Sequence, residues 1–265
     1  MSNRKKVYLF YTPSEELEPK VQEMKKLGRK YGFHLVQNPE EANVIASVGG
    51  DGAFLQAIRK TNFREDCLYV GINNERLGFY TDFNLNNPES LEIGMQSSDL
   101  EVLNYPTLEV SIDGMKSFQC LNEVSIRSNI IKTFAIDVFI DGLYFETFRG
   151  DGLVVSTPTG STGYNKSLGG AVVDPKLKGF QLTEISSINN NQYRTLGSSL
   201  ILGRERELVL KVIQDGNDYP IIGADNEALS VRHIHEISIK LSNKEIKTLK
   251  MKDNRFLNKV KRSFL

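Results

Sequence analysis

Val44-Ile45-Ala46-Ser47-Val48-Gly49-Gly50-Asp51-Gly52 is a run of five small and β-branched residues broken by a glycine-rich turn. A continuous apolar run of this length suits a strand buried on both faces of a parallel sheet. Glycines directly after such a strand let the backbone approach a ligand closely, and their N–H groups can face phosphate oxygens. Open parallel sheets bind ligands beyond the carboxyl ends of their strands, which is where this turn falls. Asp51 inside the turn can orient a hydroxyl or accept its proton. The turn is not GxGxxG and no lysine follows it, so it is neither a dinucleotide fingerprint nor a Walker A loop. The competing reading is an ordinary tight turn in which Asp51 caps the next helix.

The neighbouring segments extend the α/β pattern. Residues 7–11 form another apolar run. Ser14 follows as an N-cap, with Glu15 and Glu16 in the first turn. Leu17, Val21, Met24, Leu27 and Tyr31 recur at three and four, which predicts an amphipathic helix over 14–31 that Gly32 ends. Residues 34–36, 43–48 and 68–72 read as strands and 53–60 as a helix, and Asn87-Pro88 opens a further helix to about Met95. This alternation predicts an α/β domain with a parallel sheet over residues 1–100.

The pattern changes near residue 100. Leu108, Val110 and Ile112 alternate with Glu109, Ser111 and Asp113, and Phe134, Ile136, Val138 and Ile140 alternate next. Asp141-Gly142 marks a hairpin turn into Leu143, Phe145 and Thr147. Residues 208–213, Asp215-Gly216 and 219–222 read as a second such unit, and Ile237, Ile239 and Leu241 alternate too. Residues 101–252 therefore read as a mostly antiparallel, sandwich-like β domain, with a helical period only near 175–188.

The chain has 265 residues, 40% hydrophobic and 25% charged, which is globular usage and excludes a disordered chain. Lys+Arg and Asp+Glu are 33 each, so the net charge is zero and non-specific nucleic-acid binding is disfavoured. Cys67 and Cys120 form no CxxC or Cys/His cluster with His34, His233 or His235, and read as buried thiols of a reducing cytosol. No apolar run approaches a membrane span. Asn3-Arg4-Lys5-Lys6 precedes only five apolar residues, too few for a signal-peptide core. The expectation is a cytoplasmic protein. Residues 247–265 hold seven basic residues (Lys247, Lys250, Lys252, Arg255, Lys259, Lys261, Arg262) and one acid, Asp253, a net +6 against −6 elsewhere. Phe256, Val260 and Phe264 fall on one stripe, so 253–265 reads as a basic amphipathic helix that docks on the first domain rather than on membrane or nucleic acid.

Three further stretches can carry chemistry. Residues 153–167 lead from an apolar run into Ser156-Thr157-Pro158-Thr159-Gly160-Ser161-Thr162-Gly163-Tyr164-Asn165-Lys166-Ser167, dense in hydroxyls and suited to a ribose and a stacked base. It nearly matches a P-loop, but Asn165 replaces the second glycine. Asn122-Glu123 offers donors and acceptors for a ribose diol, but alone the signal is weak and a solvated strand position is the commoner source of such a pair. Arg149-Gly150-Asp151-Gly152 is a second Gly-Asp-Gly turn, with flanks too unlike the first to make a repeat.

Gly49 to Gly52, Gly71-Ile72-Asn73 with Leu77-Gly78-Phe79, Asn122-Glu123, Gly150-Asp151-Gly152 and the loop 156–170 occur together, and in this combination the chain resembles the bacterial NAD kinases. The matches keep that family's order and spacing across residues 44–227. The stretch 157–164 is the most specific piece, whereas the Gly-Gly-Asp-Gly turn is shared with lipid kinases and phosphofructokinases. The resemblance implies an α/β domain followed by a β-sandwich-like one. It also implies transfer of the ATP γ-phosphoryl group to the adenosine-ribose 2′-hydroxyl of NAD, with a divalent cation such as Mg²⁺ bound to the ATP, and a homo-oligomer, often a tetramer. By the same resemblance Asp51 is the catalytic base, Gly49, Gly50 and Gly52 contact nucleotide, and Phe79 lines the NAD site. Asn122 and Glu123 hold ribose hydroxyls, and Arg149 and Asp151 border the second nucleoside. Thr162, Gly163, Tyr164, Asn165, Lys166 and Ser167 form the dinucleotide pocket, with Tyr164 against a base, while Ser186 and Asn226 are peripheral contacts. No side chain is assigned to a metal.

The chain departs from the family at Ala53, where Thr is usual, at Glu75, where Gly is usual, and at Asn226, where Gln or His is common. The alternatives are a lipid kinase with the same turn and a non-catalytic dinucleotide sensor. Asn122-Glu123 and the 157–167 loop argue against the first, and the presence of Asp51 argues against the second.

Overall fold

The computed structural model describes residues 4–75, 78–96, 99–216, 219–229, 231, 233–252 and 256–265. Asn3, Leu77, Asp253 and Arg255, used in the sequence reading, lie outside the described residues. The chain divides into two compact units, residues 1–105 with 244–265, and residues 106–243.

The first unit opens with β1 (Lys6–Phe10), α1 (Leu17–Lys30) and β2 (His34–Val36). Helix α1 is shorter than the expected 14–31: Ser14 caps the turn before it, its Oγ accepting from the Leu17 N–H at 3.2 Å. Next come β3 (Val44–Val48), α2 (Asp51–Lys60), β4 (Leu68–Asn73), β5 (Thr81–Asn84) and α3 (Pro88–Gln96). The strands pair in parallel in the order β2-β1-β3-β4, with β5 also on β4. Every residue of β3 is buried, as an interior parallel strand requires. Leu17, Val21 and Met24 of α1 and Leu91 of α3 pack in one core with Ala46, Ile72 and Phe83.

Strand β6 (Leu100–Ile112) runs from the first unit into the second, where it pairs antiparallel with β7 (Phe118–Cys120). The second unit continues with β8 (Glu123–Arg127), β9 (Phe134–Ile140), β10 (Leu143–Gly150), β11 (Gly152–Ser156), a short α4 (Tyr164–Ser167), β12 (Gly179–Ile185), β13 (Leu200–Gly203), β14 (Glu207–Val212), β15 (Ile221–Ala224) and β16 (Glu227–Leu229). Strand β17 (Glu236–Met251) then leads back to the first unit, and α5 (Phe256–Phe264) follows. One antiparallel sheet has the order β10-β9-β14-β17, and the other β13-β12-β11-β8-β15-β16. Val124, Ile126, Leu153 and Phe180 of one sheet share a core with Ile136, Val138, Leu210 and Ile237 of the other, which makes the unit a β-sandwich. In the first unit, Thr248 of β17 aligns in parallel with Tyr69 of β4.

Two expectations fail here. The helical period near 175–188 gives way to strand β12, because Gln181 and Thr183 are buried as well as Phe180 and Leu182. Gln181 bonds both ways to the Ala171 backbone and Thr183 donates to Asn165 Oδ1, so burial on both faces erased the period of two. Residues 208–213 and 219–222 do not form a hairpin. Strand β14 already has β9 and β17 on its two edges, and β15 belongs to the other sheet. The Asp141-Gly142 hairpin is present, with both residues at positive φ (51° and 78°) as a two-residue turn demands.

Both cysteines are free and buried. Among the described residues no helix is long and apolar enough to cross a membrane.

Candidate functional site

Asp51 begins α2 at the carboxyl end of β3. Gly49 makes the turn possible at φ 141°, where a side chain would also meet Ala53, and its N–H donates to the Ile72 carbonyl at 2.8 Å. The Asp51 carboxylate accepts two backbone hydrogen bonds, from Phe79 N at 2.8 Å to Oδ2 and from Tyr80 N at 2.9 Å to Oδ1. Two oxygens offer about four lone-pair sites, so roughly two remain for a ligand. Gly78 must be glycine for this contact, since a Cβ there would lie 2.2 Å from Asp51 Oδ1. Asp51 and Phe79 are half-buried, and Gly50 and Gly52 are exposed beside them.

The segment that grips Asp51 is itself held from behind. The Phe79 carbonyl accepts from Lys259 Nζ at 2.7 Å and from Lys250 Nζ at 3.2 Å, and the Tyr80 carbonyl from Lys250 at 2.6 Å. Both ammonium groups also bond Asp82, at 2.5 Å and 3.4 Å, and all three side chains are buried. Burial first, then the Lys259 charge, pushes the Lys250 ammonium down to about 7. Phe256 and Phe264 of α5 bring their rings to 6.1 Å and 5.7 Å from that of Phe79. The stripe Phe256, Val260 and Phe264 is half-buried, while Lys259, counted from the sequence only among the basic residues of this helix, is 3% exposed.

In the second unit, three sequence signals meet. Glu123 of β8 is in register with Ser156 of β11. Thr157 pins the following loop, its N–H donating to Asn122 O at 2.8 Å and its Oγ1 to Leu121 O at 2.6 Å. Gly160 lies so close that a Cβ would sit 2.1 Å from Asn122 O. Asp225, at positive φ (52°) in the turn before Asn226, accepts from the Leu121, Asn122 and Glu123 amides at 3.1, 2.7 and 3.4 Å. Glu123 is buried, and its Oε2 has no hydrogen-bond partner among the described residues. That oxygen would be 3.6 Å from a Cβ on exposed Gly163. Burial, and secondarily the Asp225 charge, raise the Glu123 carboxyl to about 8. A buried carboxyl oxygen without a partner is costly, and a hydroxyl-bearing ligand relieves that cost.

The remaining expected residues spread along β11. Tyr164 is half-buried, its ring 6.0 Å from the Arg127 guanidinium, while Lys166 and Ser167 are exposed and Thr162 half-buried. Asn165 differs: it is fully buried, and its amide bonds Ser161 O, Ala171 O and Thr183, so its side chain braces the loop. Arg149, Asp151 and Ser186 gather at the other end of β11, about 13 Å from Glu123 at ~3.3 Å per residue. There Arg149 stacks its guanidinium 4.4 Å from the Tyr193 ring, and Asp151 and Ser186 are exposed. Asn226 is exposed in its turn. Among the described residues no group of three or more His, Cys, Asp or Glu could hold a metal ion. Sequence reasoning missed Asp82, Lys250, Lys259 and Asp225. Only the Asp-Asn dipeptide at 225–226 carried any local signal.

Comparison with known proteins places this geometry. A solved yeast NADH kinase, complexed with NADH, superposes with a TM-score of 0.81 over 97% of this chain and 86% of that one, at 18% identity. An NAD kinase from Archaeoglobus fulgidus, in complex with ATP, superposes at 0.73 over 97% and 98%, with 25% identity. The fold is thus that of the NAD(H) kinases. Residues 121–251 match the ATP-NAD kinase C-terminal domain. The chain is 56% identical to NAD kinase 2 of Halalkalibacterium halodurans over the full length of both, and 56% identical to NAD kinase 2 of Bacillus subtilis over 99% and 98%. It belongs to the NAD kinase family, and it is an enzyme of that kind.

Proposed function

We propose that Asp51 orients the adenosine-ribose 2′-hydroxyl of NAD and accepts its proton as the γ-phosphoryl group of ATP is transferred, giving NADP and ADP. Phosphoryl transfer asks a protein mainly for positioning and charge stabilisation. A carboxylate fixed by two amides, with acceptor sites to spare, suits that task. Lys250 and Lys259 act through the Phe79 and Tyr80 peptides as positioning residues. Asn122 and Glu123 take ribose hydroxyls. Thr162, Gly163, Tyr164, Lys166 and Ser167 contact the dinucleotide, with Tyr164 against a base, and Asn165 acts by holding their loop. Phe79, Gly49, Gly50 and Gly52 border the nucleotide, Asn226 is a peripheral contact beside Glu123, and Arg149, Asp151 and Ser186 lie further along it. The span of β11 gives such contacts the reach of an extended dinucleotide. The observation that carries the reading is the orphaned Glu123 carboxylate oxygen, which a ribose hydroxyl satisfies.

The divalent cation, Mg²⁺, travels with the ATP phosphates, whose charge it neutralises. The exposed Leu143, Tyr144 and Phe145 on edge strand β10 support a homo-oligomer, a tetramer on the family's pattern, since an apolar edge is protected when another copy covers it. Two buried free thiols support a reducing, cytoplasmic setting. Incubating the protein with Mg-ATP and NAD, and reading product with an NADP-specific dehydrogenase, tests the reaction. NADP should accumulate, and phosphorylation of a diacylglycerol in place of NAD would overturn it.

A further inference from the structure

The first unit has a second concavity away from Asp51. Strand β1 lies between β3 and β2, and β4 is interior too, so their helix-facing residues should be covered. Val7 and Leu9 of β1 and Val70 of β4 are nevertheless only half-buried. Helices α1 and α3 leave a gap over them, a cavity of about 150 Å³ with Met24, Phe83 and Met95 in its walls. Val44, Ala46, Leu68, Val70 and Ile72 line it, so it lies along one face of the sheet, and neither Asp51 nor the Gly49–Gly52 turn is in its lining.

The charge around this apolar space is one-sided. Arg4, Lys5, Lys25 and Arg29 line it, and none of the described lining residues is acidic. Lys5 Nζ is spent on the Tyr31 carbonyl and Lys25 Nζ on the Tyr11 hydroxyl. Arg4 Nη1, in contrast, is buried with no hydrogen-bond partner among the described residues. A buried guanidinium nitrogen left unpaired beside an apolar cavity is costly, and a turn of the Arg4 side chain toward the cavity lets a carboxylate satisfy it with a charge-assisted hydrogen bond. An enclosed apolar space of this volume accepts a body about as large as benzene, and because this one opens to solvent a longer chain can extend out of it.

We propose that this cavity binds a small linear aliphatic monocarboxylate, with a tail of about eight carbons among Met24, Phe83 and Met95 and its carboxylate on Arg4. The site is independent of the kinase reading, shares no residue with it, and requires no turnover.

The test uses the intact protein labelled at its methionine methyl groups, titrated with octanoate below its micellar range and followed by NMR. The Met24 and Met95 methyl signals should shift saturably, while that of Met115 in the second unit stays put. Octylammonium, with the same number of carbons and opposite charge, should bind at least about tenfold more weakly, and Arg4→Gln should weaken octanoate by a similar factor, as loss of a charged hydrogen bond does. Absence of saturable shifts at Met24 and Met95, equal binding of octylammonium, or unchanged octanoate affinity in the folded Arg4→Gln protein would each overturn the proposal.

Discussion

Lys259 donates to the carbonyl oxygen of Phe79 at 2.7 Å, and the Phe79 amide donates to Asp51 at 2.8 Å. One residue thus joins α5 to the carboxylate proposed to receive the substrate hydroxyl. The ammonium and Asp82 form a buried pair, and breaking such a pair by removing one partner is strongly destabilising.

Lys259→Met should therefore lower both the melting temperature and kcat, the latter by about 10- to 100-fold, since small misplacements of a reacting group cost rate on that scale. KM for NAD should change by a smaller factor than kcat, because Lys259 acts on Phe79 and Asp51 in the first unit while the proposed ribose contacts Asn122 and Glu123 lie in the second. Lys259→Arg, which keeps the charge, should recover part of kcat. Steady-state kinetics on protein shown to be folded separates these outcomes. A normal kcat in a destabilised Lys259→Met protein would leave the residue a purely structural role.

Glu123 sets a pH dependence of stability. Its carboxyl is raised from an ordinary 4.5 to about 8 by burial and by Asp225. Between those values the folded chain holds a proton that the unfolded chain has released, so stability is full below about 4.5 and falls as pH rises through about 8. Glu123→Gln should flatten this part of the melting-temperature profile and be the more stable protein at pH 9. The same change should weaken NAD binding, with ATP binding less affected. Calorimetry of melting from pH 5 to 9 checks the first point and NAD titration the second.

Gly78→Ala places a methyl where the Asp51 carboxylate sits, 2.2 Å from Oδ1. Something must move, and the side chain moves more readily than the backbone. The variant should fold and lose at least about tenfold in kcat, a milder form of the loss expected on deleting Asp51. Circular dichroism with steady-state kinetics tests both halves.

The α/β unit was legible because its strands 44–48 and 68–73 are short apolar runs punctuated by glycine, and α1 has a clean apolar stripe. The sandwich was legible where one face of a strand is wet and failed at β12, where hydrogen-bonded Gln181 and Thr183 are buried as deeply as the apolar residues. Glu123 stood out by its neighbour Asn122, but its missing partner is a fact of packing that no spacing reveals. Lys250 and Lys259 were unreadable for another reason: their partner Asp82 lies 168 and 177 positions away, and lysine in a basic tail looks solvated. Asp225 was hidden in the same way, since the amides it accepts from are more than a hundred residues earlier.

Asp51 is proposed to handle the substrate proton without holding the dinucleotide. Asp51→Asn keeps the side chain's size and should keep NAD affinity, measured by calorimetry, within about threefold. Phosphoryl transfer from γ-labelled ATP to NAD, followed in a single turnover on the same sample, should fall by about 10²–10⁴, the usual contribution of a positioned general base. Label reaching NADP at more than half the wild-type rate would contradict the account, and so would loss of NAD binding sufficient by itself to explain the missing turnover.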